Sequence, residues 1–154
     1  MEENLKVAIG SDHAGYKLKE RIKKHLDRNK IFYKDFGTFS EESCDYPIFS
    51  KKVADSVASG ESSRGILICG TGIGASIAAN KVRGIRAALC YKSSLAKMAR
   101  EHNNANIICL GARIIDTKDA EKIVDVFLRT EFEGFRHQIR LNEITEIENK
   151  EFVK

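Results

Sequence analysis

The chain has no tryptophan, one proline and two methionines among its 154 residues, and it has no apolar run long enough to cross a bilayer. Its apolar stretches, such as Ile66-Leu67-Ile68-Cys69, fall far short of the ~20 residues that a spanning helix needs, so a transmembrane helix is excluded. The N-terminus lacks the basic start and apolar segment of a secretory signal and passes from Met-Glu-Glu-Asn straight into a strand-like run, so a cytoplasmic location is expected. Charge of one sign is also missing: 26 basic and 22 acidic residues leave a formal +4, too little for a charged disordered tail or a strongly basic nucleic-acid binder. The four cysteines, Cys44, Cys69, Cys90 and Cys109, form no Cys-x-x-Cys pair, and three lie in or at the end of apolar runs. That placement suits reduced thiols better than a disulfide framework or a zinc site. The four histidines show no i, i+4 spacing around a carboxylate, so no metal and no other cofactor is expected.

At ~150 residues per domain the length fits one domain, residues 1–154, and 42% hydrophobic content is enough to fill its core. Leu5 to Gly10, Gly65 to Gly70, Ile85 to Tyr91 and Ile107 to Gly111 read as strands buried on both faces, with a weaker strand from Ile31 to Phe36. Helical spacing covers Tyr16 to Leu26, Phe49 to Val57, Ala75 to Val82, Leu95 to His102 and Ala120 to Phe132. This alternation implies a three-layer α/β domain with a five-stranded, mainly parallel sheet. Pro47 is positioned to open the second helix at its first turn. A C-terminal helix at about 135–150 carries Leu141, Ile144 and Ile147 as an apolar stripe, which suits packing on its own sheet or on a second subunit.

Ligands of open parallel sheets bind beyond the carboxyl ends of the strands. Cys69-Gly70-Thr71-Gly72-Ile73-Gly74-Ala75 runs from such an end into a helix start, and its glycines let backbone N–H groups converge on an anion. One candidate anion is a dinucleotide pyrophosphate, because Gly70, Gly72 and Ala75 satisfy G-x-G-x-x-[GA]. The acidic residue that the fingerprint requires at the next strand end is missing, since that strand ends Leu89-Cys90-Tyr91. The other candidate is an oxyanion formed in a reaction, with Cys69, beside a helix N-terminus that favours its thiolate, as base or nucleophile. Cys69 also reads as a small buried residue, and for Cys90 and Cys109, away from any anion-holding loop, that second reading is the preferred one.

Asp12 and His13 follow the first strand, where Asp12 serves as a helix cap or faces a ligand. Tyr46 lies in the loop before Pro47, within reach of a bound sugar or covering the core edge. His102 is placed at a helix end on the same rim as the glycine loop, suited to general acid or base work, while His25 on a charged helix face is expected in solvent. Arg136 and Arg140, four apart, project from one helix face and either grip a phosphate or lie solvated; Arg113, two residues after the strand-end Gly111, has the stronger claim to an anion.

Together, Ser11-Asp12-His13-Ala14-Gly15, Asp45-Tyr46-Pro47, Cys69 to Gly74, His102-Asn103-x-Ala105-Asn106, Gly111-Ala112-Arg113 and Arg136-His137-x-x-Arg140 resemble the ribose-5-phosphate isomerase type B family, in order from about residue 5 to 150. That family also includes galactose-6-phosphate isomerase subunits. The resemblance implies a Rossmann-like five-stranded sheet and aldose–ketose isomerisation of a sugar phosphate without metal or nucleotide, in a homodimer or tetramer with shared active sites. It implies that Cys69 moves the proton between C1 and C2, that Gly70, Thr71, Gly72, Ile73 and Gly74 hold the enediolate, and that His102 opens the furanose ring. It further implies that Asp12 and Asn103 contact sugar oxygens, that Tyr46 lines the site, and that His13, Arg113, Arg136 and Arg140 hold the phosphate, some of them from the partner subunit. The substrate it implies is D-ribose 5-phosphate, with allose or galactose 6-phosphate as the alternative.

Overall fold

In the computed structural model, which describes residues 5–152, strands and helices alternate five times and a sixth helix follows. Strands β1 (Lys6–Ser11), β2 (Phe32–Asp35), β3 (Arg64–Cys69), β4 (Ala87–Leu89) and β5 (Ile107–Gly111) form one sheet in the order β2-β1-β3-β5-β4. Every neighbouring pair is parallel. The alternation leaves the chain little choice, because a helix of one to four turns between strands carries it back to its starting edge before the next strand begins.

Two helical layers cover the sheet. Helices α1 (Tyr16–Arg28), α4 (Ser93–Asn103) and α5 (Thr117–Arg129) pack on the face formed by Val7, Ile9, Ile66, Ile68, Ile108 and Leu110. On the other face, α2 (Tyr46–Ala58) and α3 (Ile73–Ala79) bury Ala8, Leu67, Cys69, Ile107 and Cys109. Successive strand residues thus feed opposite cores, which is why the central strands read as continuous apolar runs. Pro47 stands in the first turn of α2 as expected, although that helix starts at Tyr46, three residues early.

Several local expectations change. β4 is shorter than Ile85 to Tyr91 and only half-buried, because it is an edge strand with a neighbour on one side alone. α3 begins at Ile73 and ends at Ala79, and α5 stops at Arg129 because Thr130 turns extended. His25 is buried rather than solvated, its Nε2 lying 2.7 Å from Asp125 Oδ1 where α1 crosses α5. The C-terminal stripe divides: on α6 (Arg136–Glu151) Leu141 is buried, while Ile144 and Ile147 remain exposed. The far end of α6 is tied to the turn before β4, where Gly84 N–H donates to Glu148 Oε1 at 2.8 Å and Arg83 donates to Asn149 and to the Phe152 carbonyl.

One charged pair stands out in the interior. Lys19 on α1 is fully buried, and its Nζ lies 2.7 and 2.6 Å from the two carboxylate oxygens of Asp35 at the end of β2. Asp35 Oδ1 also accepts the Gly37 N–H at 2.9 Å, and the Phe39 ring lies 5.1 Å from Nζ, so the pair anchors the loop that leaves β2. Burial by itself would raise the Asp35 carboxyl, but hydrogen bonds from Lys19, Lys23 and Gly37 outweigh it and hold the carboxyl below its usual range. A depressed carboxyl stabilises the fold above the ordinary carboxylate range, and this contribution fades as pH falls below about 4. Asp35→Asn leaves a buried ammonium with Glu20 at 3.5 Å as its remaining carboxylate, so urea unfolding is expected to show a loss of about 3 kcal/mol. Lys19→Met combined with Asp35→Asn should recover most of that loss and flatten the acid limb of the stability profile.

Candidate active site

The strand order reverses between β1 and β3, since the chain moves outward to β2 on one side and to β5 and β4 on the other. The turns that leave these two strands at their carboxyl ends flank the crevice. Ser11 is paired with Ile68, so Asp12 emerges beside Cys69. Asp12 is 7% exposed; its backbone N–H donates to the Ile68 carbonyl at 3.2 Å, and its Oδ1 accepts the Gly15 N–H at 3.0 Å. The aspartate therefore does hold the turn into α1, and it does so at the rim of the crevice.

Cys69 ends β3 with its sulfur buried under the glycine loop, and the Gly72 N–H donates to Sγ at 3.1 Å. The sulfur thus meets a backbone donor in a site from which water is largely excluded. The loop reaches this geometry only with glycine at 72, where φ is +79° and a Cβ would lie 2.6 Å from the Leu89 side chain. Gly70 and Gly74 matter for what they admit: a Cβ at 70 would stand 3.0 Å from the Arg113 guanidinium, and one at 74 would stand 2.5 Å from the Tyr46 ring. Arg113 and Tyr46 are thus laid directly against the loop. The Arg113 N–H is further fixed on the Gly70 carbonyl at 2.9 Å.

Thr71 is exposed at the loop tip, where its Oγ1 accepts the Ile73 N–H at 3.2 Å and its carbonyl accepts the Tyr91 hydroxyl at 3.0 Å. With the Gly72 and Ile73 N–H groups so engaged, Gly74 and Ala75, in the first turn of α3, present the amides that lack helical carbonyl partners. His13 lies at the same rim, half-buried, and its Nδ1 sits on the Cys44 backbone, 3.1 Å from the nitrogen and 3.2 Å from the carbonyl oxygen. Cys90 and Cys109 are buried as expected. Desolvation pushes the Cys90 thiol up to about 11 and the Cys109 thiol well above its usual value, so neither supplies a thiolate near neutrality.

His102 and Asn103 do not join this group. They occupy the last turn of α4, which runs back from the carboxyl end of β4 to the amino end of β5. Gly65 N–H donates to the Asn106 carbonyl at 2.8 Å, which fixes that segment at the start of β3, four residues before Cys69. Four strand residues span roughly 13 Å, so the same-rim expectation for His102 fails: it and Cys69 stand at opposite edges of the sheet. Arg136 and Arg140 lie with His102, because the Glu133 N–H donates to the Glu101 carbonyl at 3.1 Å and starts α6 beside the end of α4. The His137 ring stacks on His102 with centroids 4.4 Å apart. The fold also gathers His102, Glu133 and His137, whose ligating atoms lie within 4.8 Å of one another, although their positions in the chain showed no metal-ligand pattern. Only the four-residue step from Glu133 to His137 hinted at it.

One chain therefore carries two polar constellations, one at each edge of its sheet. The model of the Ribose/Galactose Isomerase family matches residues 7–144, which take in both. The chain belongs to that family. It is 46% identical over 145 residues to ribose-5-phosphate isomerase B of Escherichia coli, covering 94% of this chain and 97% of the relative. The solved structure of ribose-5-phosphate isomerase B from Clostridium thermocellum superposes with a TM-score of 0.94 at 55% identity, over 95% of this chain and 99% of that one. The Mycoplasma genitalium enzyme, solved with bound ribulose 5-phosphate, gives a TM-score of 0.90 at 42% identity, over 95% and 97% of the two chains.

In a family member built this way, the loop backbone rather than bulk packing should be the sensitive element. Gly72→Ala combines left-handed strain with a collision and should lower the unfolding free energy by about 3 kcal/mol. Gly60, with φ of +80° and nothing within 4 Å of a Cβ, supplies the control: Gly60→Ala should cost about 1 kcal/mol, from backbone strain alone. Thermal unfolding of the two variants side by side checks the difference.

Proposed function

We propose that the chain interconverts D-ribose 5-phosphate and D-ribulose 5-phosphate, with Cys69 as the base that moves the proton between C2 and C1. The observation that carries the reading is a cysteine at the carboxyl end of β3 with a backbone N–H aimed at its sulfur, in a family whose Mycoplasma genitalium member holds ribulose 5-phosphate. A ring nitrogen of His102 assists opening of the furanose by shuttling a proton between the ring oxygen and the anomeric hydroxyl. The Cys69 thiolate then removes the proton from C2, the electron pair forms the C1=C2 bond, and the carbonyl oxygen becomes an enediolate oxygen. Return of that proton from the Cys69 thiol to C1, with transfer of the C2 hydroxyl proton to O1, completes the ketose and restores the thiolate. The Gly74 and Ala75 amides and Thr71 face the enediolate, an arrangement in which each donor is worth about 3 kcal/mol. Gly70, Gly72 and Ile73 shape the loop and hold the sulfur and Thr71 in place.

Asp12 and Tyr46 bound the sugar on the Cys69 side and Asn103 on the other. His13 and Arg113 grip the phosphate together with Arg136 and Arg140. Because His102, Asn103, Arg136 and Arg140 lie at the far edge of the same sheet, they complete the site of a second copy, and the working unit is a homodimer, alone or paired into tetramers. Exposed apolar side chains on α3, α4 and α6, among them Ile77, Met98 and Ile139, supply a surface for that contact. The free cysteines fit a reducing cytoplasm. No metal enters the scheme.

The direct assay follows conversion of ribose 5-phosphate in EDTA without added cofactor, for wild type and Cys69→Ala. Rapid wild-type turnover and a loss of about 10³-fold in kcat for the variant are expected, with KM changed little. Undiminished turnover by Cys69→Ala would remove the cysteine from the role of base. A wild type that prefers allose or galactose 6-phosphate would keep the reaction class and change the substrate.

A further inference from the structure

Where α4 ends and α6 begins, His102, Glu133 and His137 converge from 31 to 35 residues apart in the chain. The backbone bond from Glu133 N–H to the Glu101 carbonyl holds the two elements together at this point. His137 is 9% exposed, and its Nε2 is fully sheltered without a hydrogen-bond partner among the described residues; Glu133 Oε2 lies 3.3 Å away but out of line for a hydrogen bond. A buried ring nitrogen with no aligned partner, facing a carboxylate and a second imidazole, is a polar group lacking the one thing burial demands of it.

We propose that these three side chains form a binding site for a borderline divalent transition ion, with zinc as the reference case, and that the bound ion inhibits the enzyme. Two imidazoles and one carboxylate are the donor set that zinc accepts with a coordination position left open. Zinc–ligand bonds of about 2.1 Å put tetrahedral donors roughly 3.4 Å apart, so the present cluster, within 4.8 Å, must contract by at most about 1.4 Å. The contraction falls on the mobile members. Glu133 is exposed and His102 half-buried at a helix end, whereas His137 is the fixed member. His102 must turn out of its stack, since parallel rings direct their lone pairs alongside each other instead of toward one point. Ligation would occupy the lone pair with which His102 shuttles the ring-opening proton. The inhibitory consequence, unlike the site itself, rests on the role given to His102 above.

Titration calorimetry of the EDTA-treated, dialysed wild-type protein with zinc chloride, in a non-chelating buffer, is expected to show one ion per chain. Glu133→Ala, at an exposed position outside the substrate-binding set, should weaken binding at least tenfold while keeping the metal-free isomerase rate. His137→Gln should weaken it further. Cobalt(II) in the same site should give visible ligand-field bands without a sulfur charge-transfer band. Zinc should slow turnover reversibly, with activity restored by EDTA. Equal zinc affinity in wild type and Glu133→Ala, or a thiolate band with cobalt, would overturn the site. Stoichiometric zinc that depends on Glu133 and leaves turnover intact would support the site and overturn the ring-opening role of His102.

Discussion

In a parallel sheet every strand points the same way, so residues that follow a strand collect at one edge and residues that precede a strand collect at the other. Here that rule separates Cys69 and its loop from His102, Asn103, Arg136 and Arg140 by the length of β3. No rotamer change spans that gap. A chemistry that needs both groups has to obtain them from two chains, and the exposed apolar residues of α3, α4 and α6 are what a second chain would cover. The subunit arrangement in this account follows from strand direction before any interface is considered.

At the Cys69 edge the organising element is absence of side chains. Gly72 lets its own amide turn onto the sulfur, Gly70 admits the Arg113 guanidinium, and Gly74 admits the Tyr46 ring. The loop so built is closely packed and polar at once, which suits the enediolate stabilisation proposed for it, since donors that must reorganise during reaction contribute little. The neighbouring loop is held from below by the buried Lys19–Asp35 pair and from above by the bond between Cys44 N–H and His13. The phosphate grip proposed for His13 would thereby be coupled to the packing of α1 on β2.

Much of this was legible in the chain. Apolar runs ending in glycine marked the central strands because both faces of β1, β3 and β5 are covered, and Pro47 marked the start of α2 through its fixed φ. β4 was overestimated because an edge strand carries the same apolar residues over a shorter paired stretch. The tight turn of the glycine loop was legible, since glycine spacing writes backbone geometry directly into sequence. The place of His102 was not, for a helix end looks the same from either edge until the direction of its helix is counted from strand to strand. His25 was misplaced because Asp125, the partner that permits its burial, lies a hundred residues away. The meeting of His102 with Glu133 and His137 likewise depends on one backbone hydrogen bond between distant elements.

The central claim is that each catalytic site is assembled from opposite sheet edges of two chains. Subunit mixing tests it most directly: Cys69→Ala and His102→Ala, each inactive alone, are unfolded together, refolded at equal amounts and assayed on ribose 5-phosphate. In a two-fold dimer half the molecules are then mixed and each has one intact site, so recovery of about a quarter of wild-type activity is expected. No recovery in a sample verified to contain mixed dimers would contradict the claim, because both groups would then serve the same chain.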